Sequence, residues 1–331
     1  MQAGRYRTLA VAAAGLIAAG PLQSLAQAPA PAGRFPVKPL RMVVGFAPGG
    51  GTDIMGRLMA TQIADALGQP VVVENRPGAG QNVAAEYFVR LPADGYSLYM
   101  SSAAHGINVS LYSKINYDPV KDFAPVALFA TAPNLLLVHP SFPAKTAKEF
   151  LAVARRNPGR LNFSSSGIGT TQHLSGEMLR AMVGLGITHV PYKGSAPSLA
   201  GLAGGEVDFT FNNIPSAQPL LAASRIRALA ITGAKRSPLM PDLPTMVEGG
   251  LSGFITETWY GFFVGAGSPR EIVTTLNQVA VKAVQRPDVR ERLAQMGADP
   301  IAESPEYFAR FLDAEIARWA KVIRESKAKA E

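Results

Sequence analysis

At 331 residues the chain is long enough for two domains or for one large one. It is 47% hydrophobic and 17% charged, as a globular protein would be, and its formal net charge is +8. The lysines and arginines are dispersed and form no stripe with interleaved aromatic residues, which argues against nucleic-acid binding. The sequence contains no cysteine, so it uses no disulfide and is not expected to be a lipoprotein.

The first 26 residues predict a secretory signal peptide. Arg5 and Arg7 precede an apolar core, and Ser24-Leu25-Ala26 matches a small-x-small cleavage site. An N-terminal membrane anchor is the alternative, but the apolar core is short for a membrane span and lacks bulky residues. We therefore expect export to the periplasm, cleavage near Ala26, and an N-terminal tail rich in Ala and Pro over residues 27–36.

The first stretch of the mature chain predicts a strand, a glycine turn and a helix. The apolar run 40–46 suits a strand buried on both faces, and apolar residues at helical spacing follow the turn until Gly68, a stop signal. The first-turn N–H groups of such a helix lack intrahelical acceptors and carry partial positive charge. The turn Gly49–Gly51 therefore predicts a seat for a phosphate or a carboxylate. A tight turn without a ligand is the alternative, and the charge of Asp53 would oppose an anion unless it caps the helix.

The known nucleotide motifs do not match this turn. A P-loop requires Lys and then Ser or Thr after its last glycine, but Thr52-Asp53 follow Gly51. The dinucleotide fingerprint requires a third glycine where this chain has Ile54. Two further glycine clusters, 78–83 and 167–172, are near misses of the same kind. A nucleotide is therefore the poorer prediction for the anion.

The strand–turn–helix unit then repeats. Strands are predicted over 71–73 and 97–100, with a helix between them that runs to about Leu91. This alternation predicts an α/β domain with a parallel sheet. Two extended segments, 126–138 and 259–264, predict crossings into and out of a second α/β lobe.

The crossings divide the chain into two lobes that can hinge around a cleft. The first lobe is expected to comprise residues 37–128 and 257–331, and the second lobe residues 129–256. In the second lobe we predict strands at 161–164, 187–190, 207–211 and 226–231. Helices are predicted at 147–156 and at 195–203, and a third helix follows the loop 164–171 and ends at about residue 183. Helices predicted at 272–284, 289–296 and 305–326 return to the first lobe.

Patterns for catalysis and metal binding are weak. The nucleophile motif G-x-S-x-G is absent. Ser164–Ser166, followed by His173, could supply a nucleophile and a base, but serine-rich loops before helices more often donate hydrogen bonds or cap the helix. The four histidines are far apart in sequence, and no H-E-x-x-H pair is present. We therefore expect no metal, no cofactor and no catalytic residue.

Hydrogen-bond donors follow several of the predicted strands. Ser101-Ser102 end the third strand, Ser164–Thr171 and Tyr192–Ser195 each open a helix, and Gly49–Thr52 follow the first strand. Ligands of open α/β sheets bind at the carboxyl ends of the strands. Backbone N–H, hydroxyl and amide groups at this edge predict a cleft that captures a small carboxylate. For each loop taken singly, the alternative is that its donors only cap a helix and bind no ligand.

Over residues 36 to about 325 the sequence resembles the solute receptors of tripartite tricarboxylate transporters, the TctC-type or Bug proteins. The segments that carry the resemblance occur in order along nearly all of the mature chain. They are Arg41–Asp53, Leu67–Gly80, Ala93–Tyr96, Ser164–Leu174, Val190–Gly194 and Leu243–Thr245. The resemblance implies the two-lobed α/β fold of type II periplasmic binding proteins, with two extended crossover segments and closure on the ligand.

The resemblance also implies which residues bind the ligand. Backbone groups of the first glycine turn are expected to bind a ligand carboxylate, partly through ordered water, and the second lobe to add its Ser/Gly/Thr loop and Asn212. Family members often carry Asp-Asn where this chain has Asn212-Asn213, which favours a plain carboxylate over an amino acid. With the strand-end donors included, the expected ligand-binding residues are Phe46, Ala47, Gly49, Gly50, Thr52, Asp53, Ser101, Ser102, Ser164, Ser165, Thr170, His173, Tyr192 and Asn212.

The function expected from these observations is that of an exported, non-catalytic and monomeric receptor. It would deliver a small organic carboxylate to a membrane carrier with two integral subunits. A receptor of the same fold that signals to a membrane sensor kinase is one alternative. A periplasmic hydrolase that uses the Ser164–His173 region is the other.

Overall fold

Buried apolar strands form a mixed sheet in the computed structural model, which describes residues 35–184 and 186–330. The strands are β1 (Leu40–Val44), β2 (Val71–Asn75), β3 (Ser97–Ser102), β4 (Phe123–Val138), β5 (Leu161–Ser165), β6 (Ile187–Pro191), β7 (Phe209–Asn213), β8 (Arg227–Ile231), β9 (Glu257–Gly265) and β10 (Asp299–Pro300). The strand order is β2-β1-β3-β9-β4-β7-β5-β6, and β8 and β10 also pair with β4. The predicted signal peptide and most of the predicted tail lie outside the described residues.

Ten α-helices accompany the sheet in the described part of the chain. They are α1 (Gly51–Leu67), α2 (Asn82–Phe88), α3 (Ala104–Leu111), α4 (Ala147–Arg156), α5 (Thr171–Val183), α6 (Ser195–Ala203), α7 (Ile214–Ala222), α8 (Arg270–Gln285), α9 (Pro287–Gln295) and α10 (Pro305–Ser326). None of the helices in this part is long and apolar enough to cross a membrane.

The first strand–turn–helix unit is confirmed. β1 is buried along nearly its whole length because β2 and β3 flank it as parallel neighbours. The buried residues of α1 include Met55, Met59 and Ile63, which recur at helical spacing. The helix ends at Gly68, whose left-handed φ of 67° allows its N–H to donate to Ala64 O over 2.9 Å.

The strand β4 carries the chain from the first lobe into the second. Its first part, Phe123–Pro133, pairs with β9, and its last part, Asn134–Val138, pairs with β7 and β8. The first predicted crossing, 126–138, falls within this strand. The second predicted crossing, 259–264, lies within β9, which pairs with β3 and β4 in the first-lobe sheet. The residue before this segment that hydrogen-bonds to the first crossing region is Thr256, whose N–H donates to Thr232 O over 3.0 Å.

One buried residue, Thr232, hydrogen-bonds to both crossing segments. Its N–H donates to Asn134 O over 2.8 Å, and its Oγ1 accepts from Asn134 N–H over 2.9 Å. The same hydroxyl donates to Thr256 O, and Thr256 N–H donates to Thr232 O over 3.0 Å. The two segments that join the lobes are thus held to each other.

Each lobe has its own apolar core. In the first lobe, Tyr99 and Phe263 share a cluster with Trp319 of α10, so the C-terminal helices return to this lobe as predicted. In the second lobe, alternate residues of β4 belong to different clusters, Leu136 to one and Leu135 to the other, so both faces of the strand are covered. The residue boundaries given above for the two lobes stay a prediction.

Candidate functional site

The N-terminus of α1 lies at the carboxyl end of β1. Gly50 precedes the helix and has extended backbone angles, φ −81° and ψ 163°. The first intrahelical hydrogen bond joins Ile54 N–H to Gly50 O over 2.9 Å. The N–H groups of Gly51, Thr52 and Asp53 therefore have no acceptor within the helix, and the helix dipole adds partial positive charge there.

The carboxylate of Asp53 holds the glycine turn in place and does not cap the helix. It accepts hydrogen bonds from Gly49 N–H over 2.9 Å, from Asn75 Nδ2 over 2.8 Å and from Arg57 Nε over 3.0 Å. Burial acts to raise the pKa of Asp53, but these hydrogen bonds and the charge of Arg57 outweigh it and hold the pKa below its usual value. Because Arg57 pairs with this carboxylate, the negative charge is compensated and does not exclude an anion from the turn.

A small polar pocket, which we call the cleft pocket, lies between the two lobes at this turn. Its volume is about 20 Å³. The first lobe contributes the glycine turn and residues of β3 and β9, and the second lobe contributes the loop after β5 and the starts of three helices. The lining residues are Phe46, Gly50, Gly51, Thr52, Ser102, Ser166, Thr170, Thr171, Gln172, Ser195, Asn213, Thr258 and Tyr260. None of these residues carries a charge.

Four helices begin at the cleft pocket. Thr52 belongs to the first turn of α1 and Thr171 to the first turn of α5, while Ser195 is the first residue of α6. Asn213 caps α7, since its Oδ1 accepts from Ser216 N–H over 3.0 Å. Helix N-termini present backbone donors and partial positive charge. The cleft pocket is therefore positively polarised although its lining residues are neutral.

Gly51 brings the first turn of α1 close to polar groups of β7 and β9. A Cβ atom at this position would lie 2.5 Å from Tyr260 Oη and 2.8 Å from Asn213 Nδ2. Burial raises the pKa of Tyr260, which keeps its hydroxyl protonated. Two side-chain donors thus face the same helix terminus as the backbone N–H groups.

The structure brings five of the predicted ligand-binding residues to the cleft pocket. They are Phe46, Gly50, Thr52, Ser102 and Thr170. Gly49 contacts the second lobe, because its carbonyl oxygen accepts from Ser216 Oγ over 3.3 Å. Ala47 lies against Gly194, and Tyr192 lines a larger side chamber of about 250 Å³ that adjoins the pocket. Direct contacts of these residues with a ligand stay a prediction.

Five other predicted residues are buried outside the cleft pocket. They are Ser101, Ser164, Ser165, His173 and Asn212. Ser101 Oγ accepts from Gln81 Nε2 over 2.9 Å, and Ser164 Oγ hydrogen-bonds to Ser198 Oγ over 2.8 Å. Asn212 Oδ1 accepts from the backbone N–H of the next residue over 3.0 Å. These side chains stabilise the strand ends behind the pocket and do not line it.

Ser165 and His173 belong to a buried histidine cluster behind the second-lobe loop. Ser165 Oγ hydrogen-bonds to His189 Nε2 over 2.7 Å, so the serine pairs with His189 and not with His173. The two imidazole rings stack with centroids 4.3 Å apart, and His173 Nδ1 accepts from Gly169 N–H over 3.4 Å. Burial, together with nearby positive charge, lowers the pKa of His173 to about 3 and that of His189 to about 4, so both rings are neutral near pH 7. In residues 35–184 and 186–330, no group of three or more His, Cys, Asp and Glu side chains could hold a metal ion.

Eight residues that line the pocket are not among the expected ligand-binding residues. They are Gly51, Ser166, Thr171, Gln172, Ser195, Asn213, Thr258 and Tyr260. Most of them fall inside or beside loops whose donors are predicted, so the sequence predicts the loop but not the individual residue that lines the pocket. Thr258 and Tyr260 have no such signal, because their segment is predicted only as a crossing between lobes.

The amino-acid sequence matches the family of tripartite tricarboxylate transporter receptors, TctC, over residues 55–327. The chain belongs to this family. This TctC-type receptor is 37% identical to the UPF0065 protein in the tcbD-tcbE intergenic region of Pseudomonas sp. strain P51, over 89% of this chain and 88% of that protein. It is 35% identical to protein BugT of Bordetella pertussis, over 91% of this chain and 93% of BugT.

Solved structures of similar proteins share the two-lobed fold. The TM-score is 0.87 with Rpa4515 of R. palustris, solved with adipate, at 40% identity over 89% of this chain and 99% of that one. The TM-score is 0.82 with MatC of Rhodopseudomonas palustris, solved with malate, which is 37% identical over 87% of this chain and 100% of MatC. The TM-score is 0.86 with the periplasmic binding protein BugD, which is 31% identical over 90% of this chain and 100% of BugD. The predicted family and the two-lobed α/β fold are thereby confirmed.

Proposed function

We propose that this receptor binds a small organic carboxylate between its lobes in the periplasm. It then delivers the carboxylate to the integral subunits of a tripartite tricarboxylate-type membrane carrier. The observation that carries the proposal is the cleft pocket, where four helix N-termini meet and no described lining residue is charged. Two similar proteins were solved with adipate and with malate, and both ligands are carboxylates.

A carboxylate suits the chemistry of the cleft pocket better than a phosphate or an amino acid. Its single negative charge can be met by backbone N–H groups and by the hydroxyls of Thr52, Ser102 and Tyr260. A phosphate carries about 1.5 to 2 negative charges and is commonly bound by Arg or Lys, which the described lining lacks. The ammonium group of an amino acid would face the positive ends of helices and find no carboxylate among the lining residues.

The same proposal assigns no catalytic activity to the receptor. The side chain of Ser165 is fully buried and does not line the cleft pocket, although it hydrogen-bonds to His189. Closure would retain the ligand through non-covalent contacts made by both lobes at once. Export with cleavage near Ala26, and a monomeric state, are part of the proposal. A sensor-kinase partner would use the same cleft, and that alternative stays a prediction.

Titration calorimetry on unfolded and refolded receptor tests the proposal, since refolding removes any ligand carried through purification. The panel consists of mono-, di- and tricarboxylates, and the neutral amide of each acid serves as its matched control. We expect at least one acid to bind and its amide to bind far more weakly. A folded receptor that binds none of the acids, or binds acid and amide equally, would overturn the proposal.

A further inference from the structure

The cleft pocket is too small for a whole organic acid. One water molecule requires a cavity of about 10 to 15 Å³, so the volume of about 20 Å³ leaves room for little more than one small group. A bound carboxylate group therefore fits only if the rest of the ligand extends out of the pocket. The rest of the ligand must then occupy a neighbouring space.

The side chamber adjoins the cleft pocket and differs from it in chemistry. Phe46 and Ser166 line both spaces, so a ligand that leaves the pocket between them enters the chamber. Tyr112 and Ile168 contribute apolar surface, and Pro77 and Pro191 are among the other lining residues. Lys193 is the one charged residue in the described lining, and it is exposed to solvent.

The size of the chamber sets the size of the group that it can hold. Its volume is about 250 Å³. An apolar protein cavity of about 150 Å³ holds a benzene molecule. The chamber can thus hold an aromatic ring or a chain of about six carbon atoms.

One wall of the chamber is a strained turn, which indicates a functional constraint. Ala79, Gly80 and Gln81 all have positive φ angles, of 46°, 57° and 77°, although two of them are not glycine. Asn108 Nδ2 holds this turn by donating to Gly80 O over 2.7 Å. A Cβ atom at Gly80 would lie 2.2 Å from Ile168 O, so the turn contacts the second lobe directly. The strained turn and the second-lobe residue Ile168 therefore form this wall of the chamber together.

We infer that the ligand is an elongated carboxylic acid whose carboxylate occupies the cleft pocket and whose apolar or aromatic segment occupies the side chamber. This inference rests on the proposed function. Because both lobes form the chamber, the apolar segment is buried only in the closed receptor, and its burial favours closure.

Calorimetry with acetate, hexanoate and phenylacetate tests this inference. Each buried methylene group strengthens binding about fourfold, so hexanoate, with four more carbon atoms than acetate, should bind at least about tenfold more tightly. In the variant Ile168→Trp, which adds bulk to the wall of the chamber, hexanoate should lose about tenfold more affinity than acetate does. The variant Ile168→Ala removes apolar surface without adding bulk, and it should weaken hexanoate several-fold more than it weakens acetate.

The outcomes separate this inference from the proposed function. Hexanoate and phenylacetate that bind no more tightly than acetate to the native receptor would overturn the inference and leave carboxylate binding intact. Equal effects of Ile168→Ala on acetate and hexanoate would overturn it as well, even if Ile168→Trp does not fold. Failure of every acid to bind to a folded receptor would overturn the proposed function itself.

Discussion

Placing a negative charge at Gly50 should weaken carboxylate binding about a hundredfold without unfolding the receptor. A Cβ atom there has no neighbour nearer than Ala47 O at 3.6 Å, and the φ of −81° suits any residue. Gly50 precedes α1, where Asp and Asn are both favoured residues. In Gly50→Asp, two carboxylates about 5 Å apart at an effective dielectric constant of about 20 repel by about 3 kcal/mol. This corresponds to about a hundredfold increase in Kd.

The variant Gly50→Asn is the matched control, because it has the same shape and competes for the same N–H groups without the charge. Kd is measured by calorimetry for the native receptor and both variants, and thermal unfolding checks that each variant is folded. We expect Gly50→Asn to weaken binding modestly and Gly50→Asp to weaken it about a hundredfold more. If both folded variants bind the acid equally well, the ligand carboxylate does not lie at the N-terminus of α1 and the reasoning is refuted.

Three further predictions concern stability and individual contacts. Burial lowers the pKa of His105 in the folded state to about 4, whereas its value in the unfolded chain is near 6.5. The free energy of unfolding is therefore highest above pH 6.5. It falls as the pH drops towards 4, by about 3 kcal/mol for this residue. The lowered pKa values of His173 and His189 change the stability in the same direction. Urea unfolding at pH 7.5 and at pH 4.5 measures the combined effect of the three histidines. Equal free energies of unfolding at the two pH values would contradict this prediction. Tyr260→Phe should weaken carboxylate binding about fivefold, the value of one hydrogen bond, with little change in Tm, and an unchanged Kd would remove this hydroxyl from the site. Asp53→Asn should lower the free energy of unfolding by about 1 to 3 kcal/mol, because it weakens the hydrogen bonds that hold the glycine turn. Unaltered urea unfolding of this variant would show that Asp53 does not stabilise the turn.

The regular elements of the fold follow from local patterns, and the elements that were missed lack those patterns. The helices α4, α6 and α10 begin and end at the predicted residues. In contrast, α3 is buried at six of its eight residues, so no polar face alternates with an apolar one. Pro215 and Pro219 lie inside α7, and proline normally marks a turn or a break. Neither helix could have been recognised by periodicity.

The site illustrates why loops can be predicted more reliably than the residues that point into them. Consecutive side chains of a strand face opposite sides, so a shift of one residue exchanges lining and buried positions. Ser102, the last residue of β3, lines the cleft pocket, whereas Ser101 faces Gln81. Likewise, Ser166 lines the pocket just after β5 ends, whereas Ser165 is still part of the strand. The sequence does not show at which residue each strand stops.

The hydrogen bonds of Thr232 restrict how the two lobes can move. Since this residue joins Asn134 to Thr256, the two connecting segments cannot slide past each other without breaking buried hydrogen bonds. A rotation of the lobes about the two paired segments leaves these hydrogen bonds intact, so it is the motion that this connection favours. Each closure then brings the second-lobe donors back to the same position over the N-terminus of α1. With the segments joined in this way, we expect ligands to meet the same arrangement of donors from both lobes each time the receptor closes.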